Sequence, residues 1–181
     1  MGRSGRRRAI LRNILARFPA RLLLAIALYS SIGLTLMGCS GGSVNVEDLL
    51  LGHRDFPNRE VTESNPLSTI TPQGVSAVQV DLTGADFTLN QSIVMFQTQA
   101  SALSVLAGIK QDQLAQEILP TDTSNFEDAS AILKETRGEQ DFYTLFFVEG
   151  LALVKLTLSA QDAAATLPVY AEMARSKVSR Q

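Results

Sequence analysis

The distribution of charge differs sharply between the N-terminal part of this chain and the rest. Seven arginines precede residue 22, the first acidic residue is Glu47, and residues 22–37 carry no charge. A basic stretch followed by an apolar one is typical of a secretory signal peptide. As a helix, the apolar run spans roughly 24 Å at about 1.5 Å per residue, which is short for a transmembrane helix of ~20 residues. The sequence therefore predicts that the residues after Met37 are exported, with an uncleaved membrane anchor as the alternative.

The apolar run ends in a short motif at the only cysteine of the chain. Its residues are Leu36, Met37, Gly38 and Cys39, and the flexible sequence Ser-Gly-Gly-Ser follows. This Leu-x-Gly-Cys pattern resembles the lipobox of bacterial lipoprotein signal peptides, and the resemblance covers residues 1–43. It implies that a dedicated signal peptidase recognises Leu36, Met37 and Gly38 and cuts before Cys39. It also implies a covalent diacylglyceryl group and an N-acyl chain on Cys39.

The same resemblance implies a location. Two or three acyl chains, at ~0.8 kcal/mol per buried CH₂, anchor a protein stably to a membrane. The implied place is the cell membrane or the outer membrane, with the domain facing the periplasm or the exterior. Two alternatives stay open, because Cys39 could be a buried core thiol, and Arg6-Arg7-Arg8 distantly resembles a twin-arginine export motif.

Composition excludes several classes of protein. One cysteine cannot form an internal disulfide, and one histidine, His53, cannot build a His-rich zinc site. Residues 39–181 hold 18 acidic and nine basic side chains, a formal charge near −9. Nucleic-acid phosphates repel such a domain, so no nucleic-acid partner is expected. The expected organisation is a signal peptide (1–38), a flexible tether (39–45) and one extracytoplasmic domain (46–181).

The hydrophobic pattern after the tether predicts an α+β domain. Val78, Val80 and Leu82 alternate with polar residues, as in a half-buried strand. Glu149-Gly150 lies between two segments rich in β-branched and aromatic residues, as a hairpin turn does. We expect a mainly antiparallel sheet with two amphipathic helices, in the order β-β-α-β-β-β-α after a signal-peptide helix. The expected strands are 78–82, 87–96, 129–134, 142–148 and 151–158, and the expected helices are 98–119 and 166–179, the second with Pro168 in its first turn.

A second resemblance concerns the exported domain. The sequence Asp55-Phe56-Pro57 leads towards the first strands, and together with parts of the element order it is loosely similar to the PsbP-like sandwich lipoproteins. That resemblance implies an α+β sandwich and assigns no site residue.

Four aromatic residues on one expected strand are the candidate patch for a partner or a ligand: Phe142, Tyr143, Phe146 and Phe147. Successive side chains of a strand point to opposite faces of the sheet, so two of them lie on each face. If helices cover one face only, the other two aromatics form an exposed apolar patch. If both faces are covered, all four belong to packing.

The polar candidates carry less specific signals. Asp122, Glu127 and Asp128 offer the oxygen ligands that hard cations prefer, but the central glycine and ordered acids of a calcium loop are missing, so no metal site is predicted. His53 has no nucleophile motif beside it and is interpreted as a solvated loop residue. The sequence holds no phosphate loop or dinucleotide fingerprint, and no cofactor is expected.

Three functional hypotheses follow. The first is a lipid-anchored, non-catalytic binding or assembly module with a protein or cell-envelope partner. The second is a carrier that holds an apolar ligand between the sheet and helix 98–119, which requires a cavity of a few hundred Å³. The third is an enzyme whose acid and base are drawn from Asp55, Asp81 and Asp86, which requires two of these carboxylates to converge in a cleft.

Overall fold

A single antiparallel sheet with one helix on each face forms the body of the domain. The computed structural model describes residues 45–70, 75–113, 118–119, 130 and 132–180. Two short 3₁₀ turns, Val46–Leu49 and His53–Asp55, precede the sheet. The strands are β1 (Thr62–Glu63), β2 (Leu67–Ile70), β3 (Ser76–Thr83), β4 (Phe87–Met95), β5 (Ile118–Leu119), β6 (Ile132–Arg137), β7 (Gln140–Glu149) and β8 (Ala152–Ala160), and the helices are α1 (Gln99–Gln113) and α2 (Ala163–Val178).

The strand order is β1-β3-β4-β8-β7-β6-β5, with β2 also paired to β3. Every pairing among the described strands is antiparallel. The predicted α+β class, the antiparallel sheet and the main element order are therefore confirmed, with β1, β2 and β5 as additional short strands. Because β8 lies between β4 and β7, the two long hairpins β3–β4 and β7–β8 join in the middle of the sheet.

The predicted hairpin is confirmed, but its loop lies one residue later than the predicted Glu149-Gly150 turn, because Glu149 belongs to β7 and β8 starts at Ala152. Glu149 pairs with Ala152, so the loop is Gly150-Leu151, and Gly150 has φ of 57°. A two-residue loop with positive φ at its first central residue only is typical of a type II′ turn, which matches the twist of the flanking strands. The β6–β7 hairpin repeats this arrangement with Gly138, at φ of 63°.

The face of the sheet that α2 covers holds the main core, and we call it the core face. Alternate residues of each long strand point into it, as the two-residue period predicts. The helix contributes one apolar side, and its axis lies across β7 and β8. The buried residues of this core include Val78, Val80, Leu82, Leu89, Ile93, Leu145, Phe147, Val154, Leu156, Leu158, Leu167, Tyr170, Ala171 and Ala174.

The opposite face of the sheet is covered by α1 over part of its length, and we call it the α1 face. Thr98 caps the helix, because its Oγ1 accepts a hydrogen bond from the Ser101 N–H at 3.2 Å. The buried side of α1 is formed by Ala102, Val105, Leu106 and Ile109. It meets β7 and β8, where the buried residues of the α1 face are Phe146, Val148 and Leu153.

The segment before the sheet, residues 45–56, completes the core, and we call it the strap. Asn45 begins it as a cap, its Oδ1 accepting a hydrogen bond from the Glu47 N–H at 3.3 Å. Leu49, Leu50 and Leu51 are buried in the main core. At its other end, the Phe56 ring packs edge-on against Tyr170 with ring centres 5.4 Å apart. The strap therefore belongs to the folded domain rather than to the tether.

The first predicted helix is too long at its C-terminal end. Helix α1 ends at Gln113, and Ile118 and Leu119, which we expected in its last turn, form strand β5. There Ile118 pairs with Leu133 and Leu119 with Ile132. Ile118 is β-branched and suits a strand, where β5 gains ladder hydrogen bonds from β6. Helical spacing alone does not reveal this pairing, because β6 lies further along the chain.

Two other predicted boundaries also need correction. Strand β6 runs to Arg137 rather than to residue 134, because the Gly138 turn extends its pairing with β7. Helix α2 starts at Ala163, three residues before the predicted start, so Pro168 lies beyond the first turn. Proline has no N–H and so leaves one helical carbonyl without its usual donor.

Candidate functional site

Several predicted site residues lie outside the residues that the structure describes. These are the lipobox residues Leu36, Met37, Gly38 and Cys39, and the acidic loop residues Asp122, Glu127 and Asp128. Within the described ranges, the structure contains no group of three or more His, Cys, Asp and Glu side chains arranged to hold a metal ion. In the same ranges, no helix combines the length and the hydropathy needed to cross a membrane.

The four aromatic residues of β7 do not form one surface. Phe146 lies on the α1 face with 5% of its surface exposed, and Phe147 lies in the main core, fully buried. Phe142 and Tyr143 are half-buried, again on opposite faces. Both faces are covered by a helix near the β7–β8 turn, so the inner pair packs the domain. Of the four candidates, only Phe142 and Tyr143 are accessible to a partner.

Each of the two accessible rings is paired with a cation. The Arg137 guanidinium lies 5.1 Å from the centre of the Phe142 ring, and the Lys134 ammonium lies 5.8 Å from the centre of the Tyr143 ring. At exposed sites such contacts stabilise by about 0.5–1 kcal/mol. They hold the rings against β6 and leave part of each ring open to solvent.

Away from the β7 and β8 residues that α1 contacts, the described part of the α1 face is polar and partly exposed, and we call it the open face. Asp81, Asn90, Thr157 and Thr144 are successive register partners on four adjacent strands. All four are half-buried. At about 4.8 Å between strands, the row spans roughly 14 Å. Thr88, Glu135, Arg137 and Lys155 lie on the same face by register.

Hydrogen bonds hold this row in place. Asn90 donates through Nδ2 to Asp81 Oδ1 at 2.6 Å, and the hydroxyls of Thr144 and Thr157 are 3.0 Å apart. Each pair fixes one rotamer and leaves further donor and acceptor capacity directed to solvent, since an amide, a carboxylate and a hydroxyl each make more than one hydrogen bond. The open face is thus a preorganised array of both donors and acceptors.

The charges around the open face are balanced, although residues 39–181 as a whole carry an excess of acidic side chains. Arg137 donates to the Glu135 carboxylate at 2.6 Å. That hydrogen bond, with the charges of Arg137 and Lys155, holds the pKa of Glu135 below its usual value, although partial desolvation opposes the shift. Two acids, Asp81 and Glu135, therefore face two bases, Arg137 and Lys155. These four charged groups of the open face therefore sum to no net charge.

A depression of about 510 Å³ lies at one end of the sheet, where the β3–β4 turn, the β6–β7 turn and the end of β8 meet. Asp86, Glu139 and Asp141 give its rim acidic character. Lys134 binds the Asp141 carboxylate at 2.6 Å, and Thr136 donates to the same residue. These hydrogen bonds hold the pKa of Asp141 below its usual value. We call this end of the sheet the far end.

The carboxylates proposed for catalysis have separate partners. Asp55 accepts from the Gly52 N–H at 2.8 Å and from Lys177 at 2.7 Å, in the strap. Asp81 accepts from Asn90 on the open face, and Asp86, largely exposed, lies 3.5 Å from Arg59. The structure therefore places the three on different elements and joins each to a different group.

The other two predictions about chemistry concern His53 and α1. The His53 ring is exposed and its Nδ1 lies 3.3 Å from Glu63 Oε2, so its neighbour is a carboxylate rather than a hydroxyl or thiol nucleophile.

The apolar side of α1 is buried where it meets the sheet. The depression described above lies at the far end, not between α1 and the sheet where a carrier would hold its ligand.

The open face is the surface that our sequence analysis missed. A signal for it exists, because the polar positions of β4 and β8 keep the two-residue period: Thr88, Asn90 and Ser92, then Lys155, Thr157 and Ser159. Alternation of this kind shows that one face of a strand is polar. It does not show where a helix stops covering that face, and the extent of α1 decides this.

No protein-family model matches the chain, and no curated protein sequence matches it. Among solved structures, the chain is similar to the extracellular domain of PknH from Mycobacterium tuberculosis. That likeness has a TM-score of 0.49 and 9% sequence identity, and it covers 75% of this chain and 95% of that domain.

Proposed function

We propose that this protein is a lipid-anchored extracytoplasmic binding module whose open face contacts a protein or a cell-envelope component. The observation that carries the anchor is the position of Cys39, the only cysteine, directly after the apolar run and within a Leu-x-Gly-Cys motif. The folded strap begins at Asn45, just after the short Ser-Gly-Gly-Ser sequence. An anchor at Cys39 is thus compatible with an intact domain.

The anchor is tested at the mature N-terminus. Mass spectrometry of the protein from membranes is expected to find a chain that starts at Cys39 and carries acyl groups. The Cys39→Ser variant is expected to keep its signal peptide uncut. Once a protease separates its domain from the signal peptide, that domain is expected not to associate with membranes, because it carries no acyl chain. An intact Met1 in the wild-type protein, or unchanged processing of the variant, would contradict lipidation.

Binding without catalysis is supported by the state of the titratable groups. Asp55, Asp81 and Asp86 are each bound to a different donor, as described above. The open face instead offers a row of hydrogen-bonding groups across four strands, with a half-exposed ring, Phe142, on its margin. A surface of this extent suits recognition of another surface, because contacts spread over several strands.

The contact surface is tested by site-specific crosslinking in cells. A photoreactive residue is placed at Thr157 on the open face, and the matched control carries it at the exposed Glu172 of α2. A partner that crosslinks at Thr157 and not at Glu172 supports the proposal. Crosslinks at Glu172 alone, or equal crosslinks at both positions, would assign the contact elsewhere.

A further inference from the structure

The chain enters the folded domain close to strand β2. Six Cα–Cα steps separate Cys39 from Asn45, which is at most about 22 Å of extended chain. In the first turn of the strap, Glu47 accepts a hydrogen bond from the Ser68 hydroxyl of β2 at 2.6 Å. An anchor on Cys39 therefore keeps β2 and its surroundings within a short distance of the membrane.

Strand β2 lies at the end of the sheet opposite the far end, which we call the near end. The near end is defined by four successive register partners: Ile70 pairs with Ser76, Ser76 with Met95, and Met95 with Ala152. At about 4.8 Å between strands, Ile70 and Ala152 are roughly 14 Å apart. The β7–β8 turn residue Leu151 directly precedes Ala152, so it lies at the same end.

Two of the four exposed large aliphatic side chains of the described residues lie at this near end. Ile70 exposes 74% of its surface and Leu151 exposes 44%. Neither contributes to the core. An exposed aliphatic residue is common by itself, but two at one end of a sheet, beside the start of the strap, form a site for an apolar or interfacial environment.

The loop residues at the tip of the near end are uncharged. They are Phe96, Gln97 and Thr98 between β4 and α1, and Gly150 and Leu151 in the β7–β8 turn. Acids lie beside this tip: Glu149, which pairs with Ala152 and is 3.5 Å from Arg175, and Glu47 and Asp48 of the strap. The partner that suits the near end is therefore a phospholipid surface without net charge, because an anionic one repels the strap acids.

We infer that the near end rests on the phospholipid surface, with Ile70 and Leu151 in contact with the headgroup and upper acyl region. This inference rests on the lipid anchor proposed above. The anchor supplies proximity, because a linked second contact forms at a high effective concentration and needs little affinity of its own. The orientation leaves the far end and its acidic rim directed away from the membrane.

The absence of tryptophan from the sequence makes the test direct. Three single-tryptophan variants of the lipidated protein are made: Ile70→Trp, Leu151→Trp and the control Val169→Trp. Val169 is similarly exposed, at 56%, but lies on α2 next to Tyr170, which packs on Phe87 at the far end. Each protein is bound to phosphatidylcholine vesicles that contain brominated acyl chains, which quench nearby indoles.

The expected result is quenching of Ile70→Trp and Leu151→Trp that exceeds that of Val169→Trp by roughly twofold or more, since only indoles at the interface approach the bromine atoms. Equal quenching of all three, or none in protein that sediments with the vesicles, would overturn the orientation and leave the anchor intact. Lipidated protein that does not sediment with the vesicles would overturn the anchor itself, and the orientation with it.

A second measurement tests the charge argument. Glu47 and Asp48 are exposed in the first turn of the strap, so added anionic lipid is expected to reduce the quenching of Ile70→Trp at low salt. Added salt is expected to restore it, because screening weakens repulsion between exposed charges. Stronger quenching on anionic vesicles would contradict the inferred contact.

Discussion

Gln91 is a polar residue at the centre of an apolar core, and it joins two parts of the chain 40 residues apart. Its side chain is fully buried, and its register partners are the buried Val80 and Leu156. Its Oε1 accepts a hydrogen bond from the Leu51 N–H of the strap at 2.7 Å. Since a buried N–H without a partner is costly, this single acceptor explains how the strap can enter the core without a strand to pair with.

Gln91→Ala is expected to lower the free energy of unfolding by more than about 2 kcal/mol, because it leaves the Leu51 N–H without an acceptor and creates a cavity. Urea unfolding measures the change. The control is Thr88→Ala on the same strand, an exposed position where a change within about 0.5 kcal/mol is expected. Equal effects of the two substitutions would show that the bond to the strap contributes nothing.

Ionisation of Tyr170 makes the free energy of unfolding depend on pH in the alkaline range. Burial of its phenol raises the pKa above its ordinary value of 10.0, and the nearby positive charge of Arg59 opposes that shift. The folded state therefore holds its proton more tightly than the unfolded state does. The stability linked to this proton is fully present below pH 10 and is lost as pH rises through the folded pKa.

The expected outcome is that Tyr170→Phe makes the free energy of unfolding less dependent on pH above about 10, since phenylalanine does not ionise. At neutral pH the same variant loses the hydrogen bond from Arg59, so a loss of about 0.5–1.5 kcal/mol is expected there. An unchanged alkaline slope in Tyr170→Phe would assign the effect to other groups.

At the scale of elements, the glycines of the two hairpins and of α1 have opposite effects on stability. Gly150 has φ of 57°, in the left-handed region that other residues adopt at a cost. Gly108 lies within α1, and a Cβ placed on it meets no atom within 4 Å. The first glycine is required by its turn, and the second only loosens its helix.

These positions form a matched pair of substitutions. Gly150→Ala is expected to destabilise the domain by about 1–2 kcal/mol, the cost of left-handed backbone for a residue with a Cβ. Gly108→Ala is expected to stabilise it by about 0.5–1 kcal/mol, because alanine loses less backbone entropy in a helix. Chemical denaturation of both variants checks the two signs, and a neutral Gly150→Ala would show that the turn relaxes to another type.

At the scale of the whole molecule, the strap closes the core that α2 leaves open. Helix α2 lies over β7 and β8, whereas the first 3₁₀ turn of the strap contacts β3, β4 and α2. Four of its residues, Leu49, Leu50, Leu51 and Phe56, are buried. Burial of such side chains stabilises by about 1.5–3 kcal/mol each, a large part of a typical stability of 5–15 kcal/mol.

A protein that begins at Pro57 is therefore expected to lose cooperative unfolding and to bind hydrophobic dyes, whereas one that begins at Ser43 is expected to match a protein that begins at Cys39. Near-ultraviolet circular dichroism and urea titration distinguish the two. If the shorter protein unfolded with an unchanged midpoint, the strap would be an appendage of the domain rather than part of its core.

The sequence by itself determined the features that depend on neighbouring residues. The Gly150 hairpin and the strands 78–82 and 87–96 follow from turn chemistry and local periodicity, and the structure confirms them. Local spacing also placed Phe146 and Phe147 on opposite faces. The lipobox prediction is likewise local, and it rests on the sequence alone.

Tertiary structure decided the features that depend on partners far along the chain. The pairing of Ile118 with Leu133 ended α1 early, and α1 and α2 together determined that both Phe146 and Phe147 are buried. The strap entered the core because Gln91, 40 residues later, accepts its N–H. In each case the free energy comes from contacts between distant segments, so a window of neighbouring residues contains no trace of it.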